Sequence, residues 1–196
     1  MLISIKRKFM KNLLIAIALF ATGTVFSQSS ASKESSKKSF YDFKVETIDG
    51  EKFDFKSLKG KKVMIVNTAS KCGLTPQYKD LEALYKQYGD KKFVIIGFPA
   101  NNFKEQEPGT NADIKEFCSK NYGVSFPMMS KISVKGDDMA PVYKWLTQKS
   151  ENGLKDSEVQ WNFQKYLIDE KGNLVDVIPP KESPSSEKVT SWLASK

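Results

Sequence analysis

Lys62-Val63-Met64-Ile65-Val66-Asn67-Thr68, then Ala69-Ser70-Lys71-Cys72-Gly73-Leu74 and Thr75-Pro76, is the stretch that decides the fold. The short apolar run from Lys62 to Thr68 reads as a buried strand, and Thr75-Pro76 opens a helix, with Thr75 as its cap and Pro76 at its first position. Leu81, Leu84, Tyr85 and Tyr88 follow at i, i+3, i+4 and i+7, the apolar stripe of that helix. Phe93-Val94-Ile95-Ile96-Gly97-Phe98 is a second apolar strand. Strand, helix and strand in this order imply a parallel pair with a right-handed crossover. Cys72 then lies at the carboxyl edge of the sheet, where open α/β folds place their ligands. A thiol at the start of a helix also faces unpaired backbone N–H groups and the positive end of the dipole, the setting of a reactive cysteine.

Working outward, Phe43, Val45 and Thr47 alternate with polar residues, Asp49-Gly50 marks a tight turn and Lys52 to Phe55 continues the pattern, which predicts an N-terminal β-hairpin. A second helix is expected from Asn111 to Tyr122, with Ile114, Phe117 and Cys118 on its inner face. A short strand is expected near Met128 to Val134 and a helix near Ala140 to Lys149. Tyr166 to Asp169, a turn at Glu170-Lys171-Gly172-Asn173 and Leu174 to Ile178 read as a hairpin, followed by a final helix from about Ser185. The fold class is α/β, a central mixed sheet flanked by helices.

Residues 1–27 read as a secretory signal: Lys6, Arg7, Lys8 and Lys11, an apolar stretch from Leu13 to Phe20, and small residues ending near Ser27. Met10 would begin a shorter version of the same signal. The apolar stretch is interrupted by Thr22, Gly23 and Thr24 and falls short of the roughly 20 residues needed to span a bilayer, so no stable membrane anchor is expected. Residues 28–39 are serine-rich and polar, a flexible tether, and residues 40–196 form the folded domain. Export to the periplasm or the cell exterior follows from this reading.

The 196-residue chain has no histidine and two cysteines. Ser-His-Asp and Cys-His catalytic units are thereby excluded, and a structural zinc site lacks its usual ligands, so neither metal nor other cofactor is expected. Chemistry must come from thiol, carboxylate, amide, indole or lysine groups. Signal removal would take four positive charges and no negative ones, lowering the formal net charge from +8 to +4. Arg7 is the sole arginine, and the remaining lysines alternate with acids. No nucleic-acid partner is expected of such a surface.

Taken by themselves, Cys72 is either a reactive thiol or a small buried hydrophobe, Gln106 a loop residue and Trp161 a core aromatic. Cys118, 46 residues after Cys72, is either a redox partner, a buried thiol or half of a permanent bridge. Three separated motifs narrow the choice. Asn67 to Pro76, then Gly97-Phe98-Pro99 with Gln106-Glu107-Pro108-Gly109, then Trp161-Asn162-Phe163 together resemble the glutathione peroxidase family, over about residues 40–196.

The resemblance implies a thioredoxin-like fold, with Pro127 at the position where that fold usually keeps a cis proline. It implies a catalytic tetrad of Cys72, Gln106, Trp161 and Asn162 acting on hydrogen peroxide and organic or lipid hydroperoxides. Cys118, within Glu116-Phe117-Cys118-Ser119-Lys120-Asn121-Tyr122-Gly123, matches the resolving-cysteine segment of the two-cysteine, thioredoxin-dependent members. A Cys72–Cys118 disulfide recycled by a thioredoxin-like donor is then implied, and an inward-packed Cys118 would require residues 111–123 to unwind. Glutathione is the less favoured reductant, because its two carboxylates would meet no guanidinium after signal removal. Ala100 and Asn102 stand where many relatives have cysteine and glutamine, which removes a third thiol and leaves the tetrad positions intact. The short stretch from Lys135 to Gln160 lacks the insertion of tetrameric relatives and implies a monomer. Two rivals remain: a thiol-disulfide oxidoreductase, disfavoured because Cys72 is followed by Gly73, Leu74 and Thr75 rather than a near second cysteine, and a non-enzymatic exported domain stapled by a structural disulfide.

Overall fold

The central strand is β3, Lys62–Thr68, whose seven residues are all buried. It is one of eleven strands and α-helices in a computed structural model that describes residues 38–89 and 92–195. The expected signal, residues 1–27, and all but the end of the expected tether lie outside the described residues. In chain order the other elements are β1 (Lys44–Glu46), β2 (Lys52–Asp54), α1 (Gln77–Tyr88), β4 (Phe93–Pro99), α2 (Asn111–Tyr122), α3 (Pro141–Thr147), α4 (Lys149–Asn152), β5 (Lys165–Ile168), β6 (Leu174–Ile178) and α5 (Glu187–Ala194).

Four strands form a mixed sheet in the order β4-β3-β5-β6. The β3–β4 pair is parallel, with Ile65 opposite Ile96, and β3–β5 and β5–β6 are antiparallel. Because strand side chains alternate, β3 feeds two cores. Val63 and Ile65 join Val94, Ile96 and Phe98 on the face covered by Tyr143, Trp145 and Leu146 of α3 and by Phe40, Phe43 and Phe55. Met64 and Val66 join Phe93 and Ile95 on the face covered by Tyr78 and Leu81 of α1, Ile114 and Cys118 of α2 and Val189 of α5. The predicted mixed sheet flanked by helices is the fold observed.

The N-terminal hairpin is also present, β1 pairing antiparallel with β2 as a separate two-stranded sheet around Gly50 at φ +83°. α2 has the bounds read from sequence. Thr110 and Asp113 form a reciprocal capping box at its start, and Gly123 closes its end in the left-handed conformation.

Four expectations are corrected. α1 begins at Gln77, and neither Thr75 nor Pro76 caps it by a side chain, because the Thr75 hydroxyl is committed to the turn before it. The helix expected near Ala140 to Lys149 is broken at Gln148 into α3 and α4. The strand expected from Met128 to Val134 is reduced to isolated bridges, Gly97 with Met128 and Thr47 with Met129. Its backbone changes partner within a few residues: Met129 N–H donates to Gly97 O, Ser130 N–H to Glu46 O and Ile132 N–H to Pro99 O. Finally, the cis proline expected at Pro127 is not found: there is no cis peptide bond among the described residues. Pro127 ties to β4 through its carbonyl, which accepts from Gly97 N–H at 2.9 Å, and a trans bond is compatible with that tie and about 0.5–1 kcal/mol easier to form.

Glu82, on the inner side of α1, is a buried charge that the helical stripe did not foretell. Its carboxylate accepts from Ser125 N–H at 2.8 Å and Ser125 Oγ–H at 2.7 Å and faces Lys86 at 3.3 Å. It fixes the approach to Pro127, which in turn lays Met128 over Gly97. A Cβ on Gly97 would collide with Met128 Sδ and sit 3.3 Å from Phe126. Gly97→Ala is therefore expected to destabilise the fold by about 1–3 kcal/mol through overpacking; a urea midpoint matching that of the unaltered protein would show that the loop yields instead.

Candidate active site

Between β3 and α1 the chain makes a compact turn around Cys72. Thr75 Oγ1 donates to Ala69 O at 2.8 Å and accepts from Cys72 N–H at 3.0 Å, while Thr75 N–H donates to Cys72 O. Leu74 N–H points back at Cys72 Sγ, at 3.4 Å. The thiol thus has a backbone donor, but from the turn three residues ahead of the helix rather than from the helix itself. Cys72 is only 7% exposed, less open than a strand-to-helix turn suggests, because a wall of other segments stands around it. It lines a cavity of about 470 Å³ together with Gly73, Leu74, Trp161, Pro179 and Pro180.

Trp161 reaches this cavity from the segment just before β5. Its carbonyl accepts from Asn67 Nδ2 at 3.1 Å, and Phe163 N–H donates to Asn67 O at 2.6 Å. Phe163 has φ +67°, a rare conformation for a bulky residue and a kind of strain that clusters at functional sites. Phe103 packs on the indole at 5.2 Å between ring centroids, and Lys104 Nζ stands 5.9 Å from its centre.

Gln106 comes from the loop after β4 and is tied to the Cys72 turn by Lys71 N–H, which donates to Gln106 O at 2.9 Å. Its side-chain Oε1 accepts from Asn162 Nδ2 at 3.0 Å. Asn162 is fully buried, and its Oδ1 has no partner. The four residues expected to act together are therefore gathered at one end of the sheet: Cys72 and Trp161 share a cavity, Gln106 and Asn162 share a hydrogen bond, and backbone bonds join the pairs. Among the described residues the thiol's hydrogen bond comes from Leu74 N–H and not from any of the three side chains.

Asn102, one of the two departures from the family pattern, is structural. It accepts from Val134 N–H at 2.9 Å and donates to Lys135 O at 3.0 Å, holding the 133–135 loop.

Cys118 is free, as is Cys72, and both are buried. It sits 2% exposed on the inner face of α2 and lines a different cavity, of about 380 Å³, with Ile48, Ser119, Phe126 and Met128. The two cavities have no lining residue in common. Burial pushes the Cys118 thiol up to about 11; the nearby Tyr78 hydroxyl offsets part of this and the Glu107 carboxylate adds to it. Glu107 is itself buried beside Ser70, its carboxyl raised by desolvation against the lowering effect of Ser70 and Lys131.

Sequence reasoning did not single out Thr75 as the staple of the thiol turn, nor Asn67 as the clamp on Trp161. Both lie inside the first motif, and the usable signal was a hydroxyl three residues after a thiol and an amide at the end of an otherwise apolar strand.

The glutathione peroxidase family model matches residues 40–147. Glutathione peroxidase-like peroxiredoxin gpx1 of Schizosaccharomyces pombe is 52% identical over 138 residues, 70% of this chain and 86% of its own. Glutathione peroxidase-like peroxiredoxin 2 of Saccharomyces cerevisiae is 51% identical over 148 residues, 76% of this chain and 91% of its own. Among solved structures, Trgpx in its apo form superposes with a TM-score of 0.64 at 37% identity, covering 82% of this chain and 98% of that one. A thioredoxin-family thiol:disulfide interchange protein from Chlorobium tepidum, 22% identical with a TM-score of 0.56, covers 78% of this chain and 93% of that one and speaks for the fold alone. With the motif residues gathered at one edge of a thioredoxin-like sheet and relatives of this identity, the chain belongs to the glutathione peroxidase family and is a peroxidase.

Proposed function

We propose that Cys72 is the peroxidatic thiol and Cys118 its resolving partner in a two-cysteine thiol peroxidase cycle fed by a thioredoxin-like donor. The observation that carries this reading is the placement of Cys72 on an apolar cavity, with Leu74 N–H on its sulfur and the amide and indole groups of Gln106, Asn162 and Trp161 gathered at the same sheet edge. The thiolate attacks the terminal oxygen of a hydroperoxide, the O–O bond breaks, and the alcohol or water leaves with a proton. Cys72 is left as a sulfenic acid. Neutral N–H donors suit this step, since they stabilise the departing oxyanion without holding a titratable proton of their own.

Resolution follows when Cys118 sulfur attacks Cys72 sulfur and hydroxide leaves as water, giving a disulfide. That bond needs the two Cα atoms within about 7 Å. Cys118 faces its own cavity from within α2, so residues 111–123 unwind for the step to occur. A dithiol donor then restores both thiols. Glutathione is the weaker candidate, because the described residues contain no arginine to receive its carboxylates. Names of the relatives as peroxiredoxins support the same choice. Export behind the 1–27 segment and a monomeric state complete the proposal.

Cys118→Ser is expected to keep one rapid, stoichiometric oxidation of Cys72 and to lose thioredoxin-linked turnover, read by stopped-flow thiol loss and intact mass; full turnover in that variant would remove Cys118 from the cycle. Alkylation gives a second prediction. A thiol raised by burial stays protonated below its folded value, so its contribution to stability is complete below the ordinary thiol range and is lost as pH rises towards about 11. At pH 8 Cys118 of the reduced protein should react about a hundredfold more slowly than an unburied cysteine, and equal labelling rates for Cys118 and a free thiol would show that α2 is already open.

A further inference from the structure

Between Ile178 at the end of β6 and Glu187 at the start of α5, the chain forms the wall of the Cys72 cavity opposite Trp161. Pro179, Pro180 and Pro184 within it have no N–H, so this segment cannot be held by a backbone ladder. Two of its carbonyls, those of Pro180 and Glu182, are held instead by side chains from the sheet and from α1. Gln77 Nε2 donates to Pro180 O at 2.8 Å, and Lys165 Nζ donates to Pro180 O at 3.1 Å and to Glu182 O at 2.5 Å. Lys165 is a fully buried side chain on β5, with apolar cross-strand neighbours Val66 and Ile178. It belongs to the same short segment that delivers Trp161 and Asn162, so one stretch of chain carries one side of the cavity and holds the other.

We propose that Lys165 is a positioning residue for the hydroperoxide: its buried ammonium fixes the Pro179–Glu182 wall over Cys72 and so determines how well a bulky apolar substituent is received beside the reacting oxygen. The inference rests on the peroxidase reading of Cys72 and deepens it. Hydrogen peroxide has no substituent to place against Pro179 and Pro180, whereas an organic hydroperoxide fills the space between that wall, Leu74 and Trp161. The charged groups facing Lys165 are Glu182 of the wall and Asp80 of α1; both favour the ammonium, yet burial brings it down to about 7. Charge-assisted bonds are roughly twice as strong as neutral ones, so the wall loosens as pH rises through neutrality. A second buried lysine provides a built-in control. Lys62 Nζ donates to Trp192 O and Ser195 O, both at 2.6 Å, capping the end of α5 away from the cavity wall.

The test compares second-order rate constants for oxidation of the reduced full chain by cumene hydroperoxide and by hydrogen peroxide. In Lys165→Met the ratio of the two is expected to fall about tenfold, the value of a misplaced apolar contact of one or two methylenes. Lys165→Gln, which keeps an N–H donor, should lie between, and Gln77→Leu, which removes the other donor to Pro180 O, should shift the ratio the same way should Lys165→Met not fold. Raising the pH from about 6 to 8.5 should lower the ratio in the unaltered protein and leave it flat in Lys165→Met. An unchanged ratio in every variant, or the same fall in Lys62→Met, would overturn the inference while leaving the peroxidase reading intact. Thiol oxidation in the unaltered protein no faster than in free cysteine would overturn both.

Discussion

The end of β3 is where the architecture of the site is decided. Asn67 is the last residue but one of that strand, and it binds the incoming β5 segment three times: through Phe163 N–H to its carbonyl, through its own N–H to Gln164 O, and through Nδ2 to Trp161 O. Cys72 follows five residues later on the same strand's exit. The placement of the indole beside the thiol is thus set by Asn67 and the pairing around it rather than by a bond between the two side chains. This pairing forces Phe163 into the left-handed region, at a cost of order 1–3 kcal/mol, and the cost is met by burying its ring edge-on against Tyr78. Lys104 and Glu105 are also left-handed, turning the chain immediately before Gln106. Strain stands on both flanks of the gathered residues and aims them.

The parts of this arrangement that are legible in sequence are those governed by hydrophobic periodicity. β3 and β4 are readable because each is a continuous apolar run bounded by polar residues, and α2 because Ile114, Phe117 and Cys118 fall on one face of it. Cys72 at the sheet edge followed from the order of elements alone. The turn around Cys72 differs from its reading because Thr75 followed by Pro76 looks like a helix cap, whereas in the fold the Thr75 hydroxyl is used by Ala69 and Cys72. The 128–134 segment differs from its reading because alternation predicts a strand but cannot say which neighbour will pair, and here β4 and β1 share it. Lys165 was illegible for a related reason: a lysine within an apolar strand gives no hint that two proline-rich carbonyls will be waiting for it. The departure at Asn102 resolves in the same way, as an amide filling the needs of one loop.

The two thiols sit in different environments. Cys72 takes one backbone N–H, from Leu74, and lines a cavity, whereas Cys118 lies on the inner face of α2, where burial disfavours its ionisation. Burial holds down the thiolate population of Cys118 while α2 is closed, and opening of α2 favours its proton loss in the proposed cycle.

How costly that opening is depends on what α2 rests upon. Its ends are well satisfied, by the Thr110 and Asp113 box and by Gly123, and taken alone these predict a helix that resists unwinding. The seat of Cys118 adds to that resistance: the Tyr78 hydroxyl reaches both the thiol and Thr68, and Ser70 supports the nearby Glu107 carboxyl. Lifting the helix gives these contacts up, and at the same time it returns the thiol to water, where burial no longer disfavours its thiolate. Opening is therefore opposed by caps and packing and assisted by release of the desolvated thiol, so the closed helix is the resting form and the sulfenic acid of Cys72 draws on a minor open one.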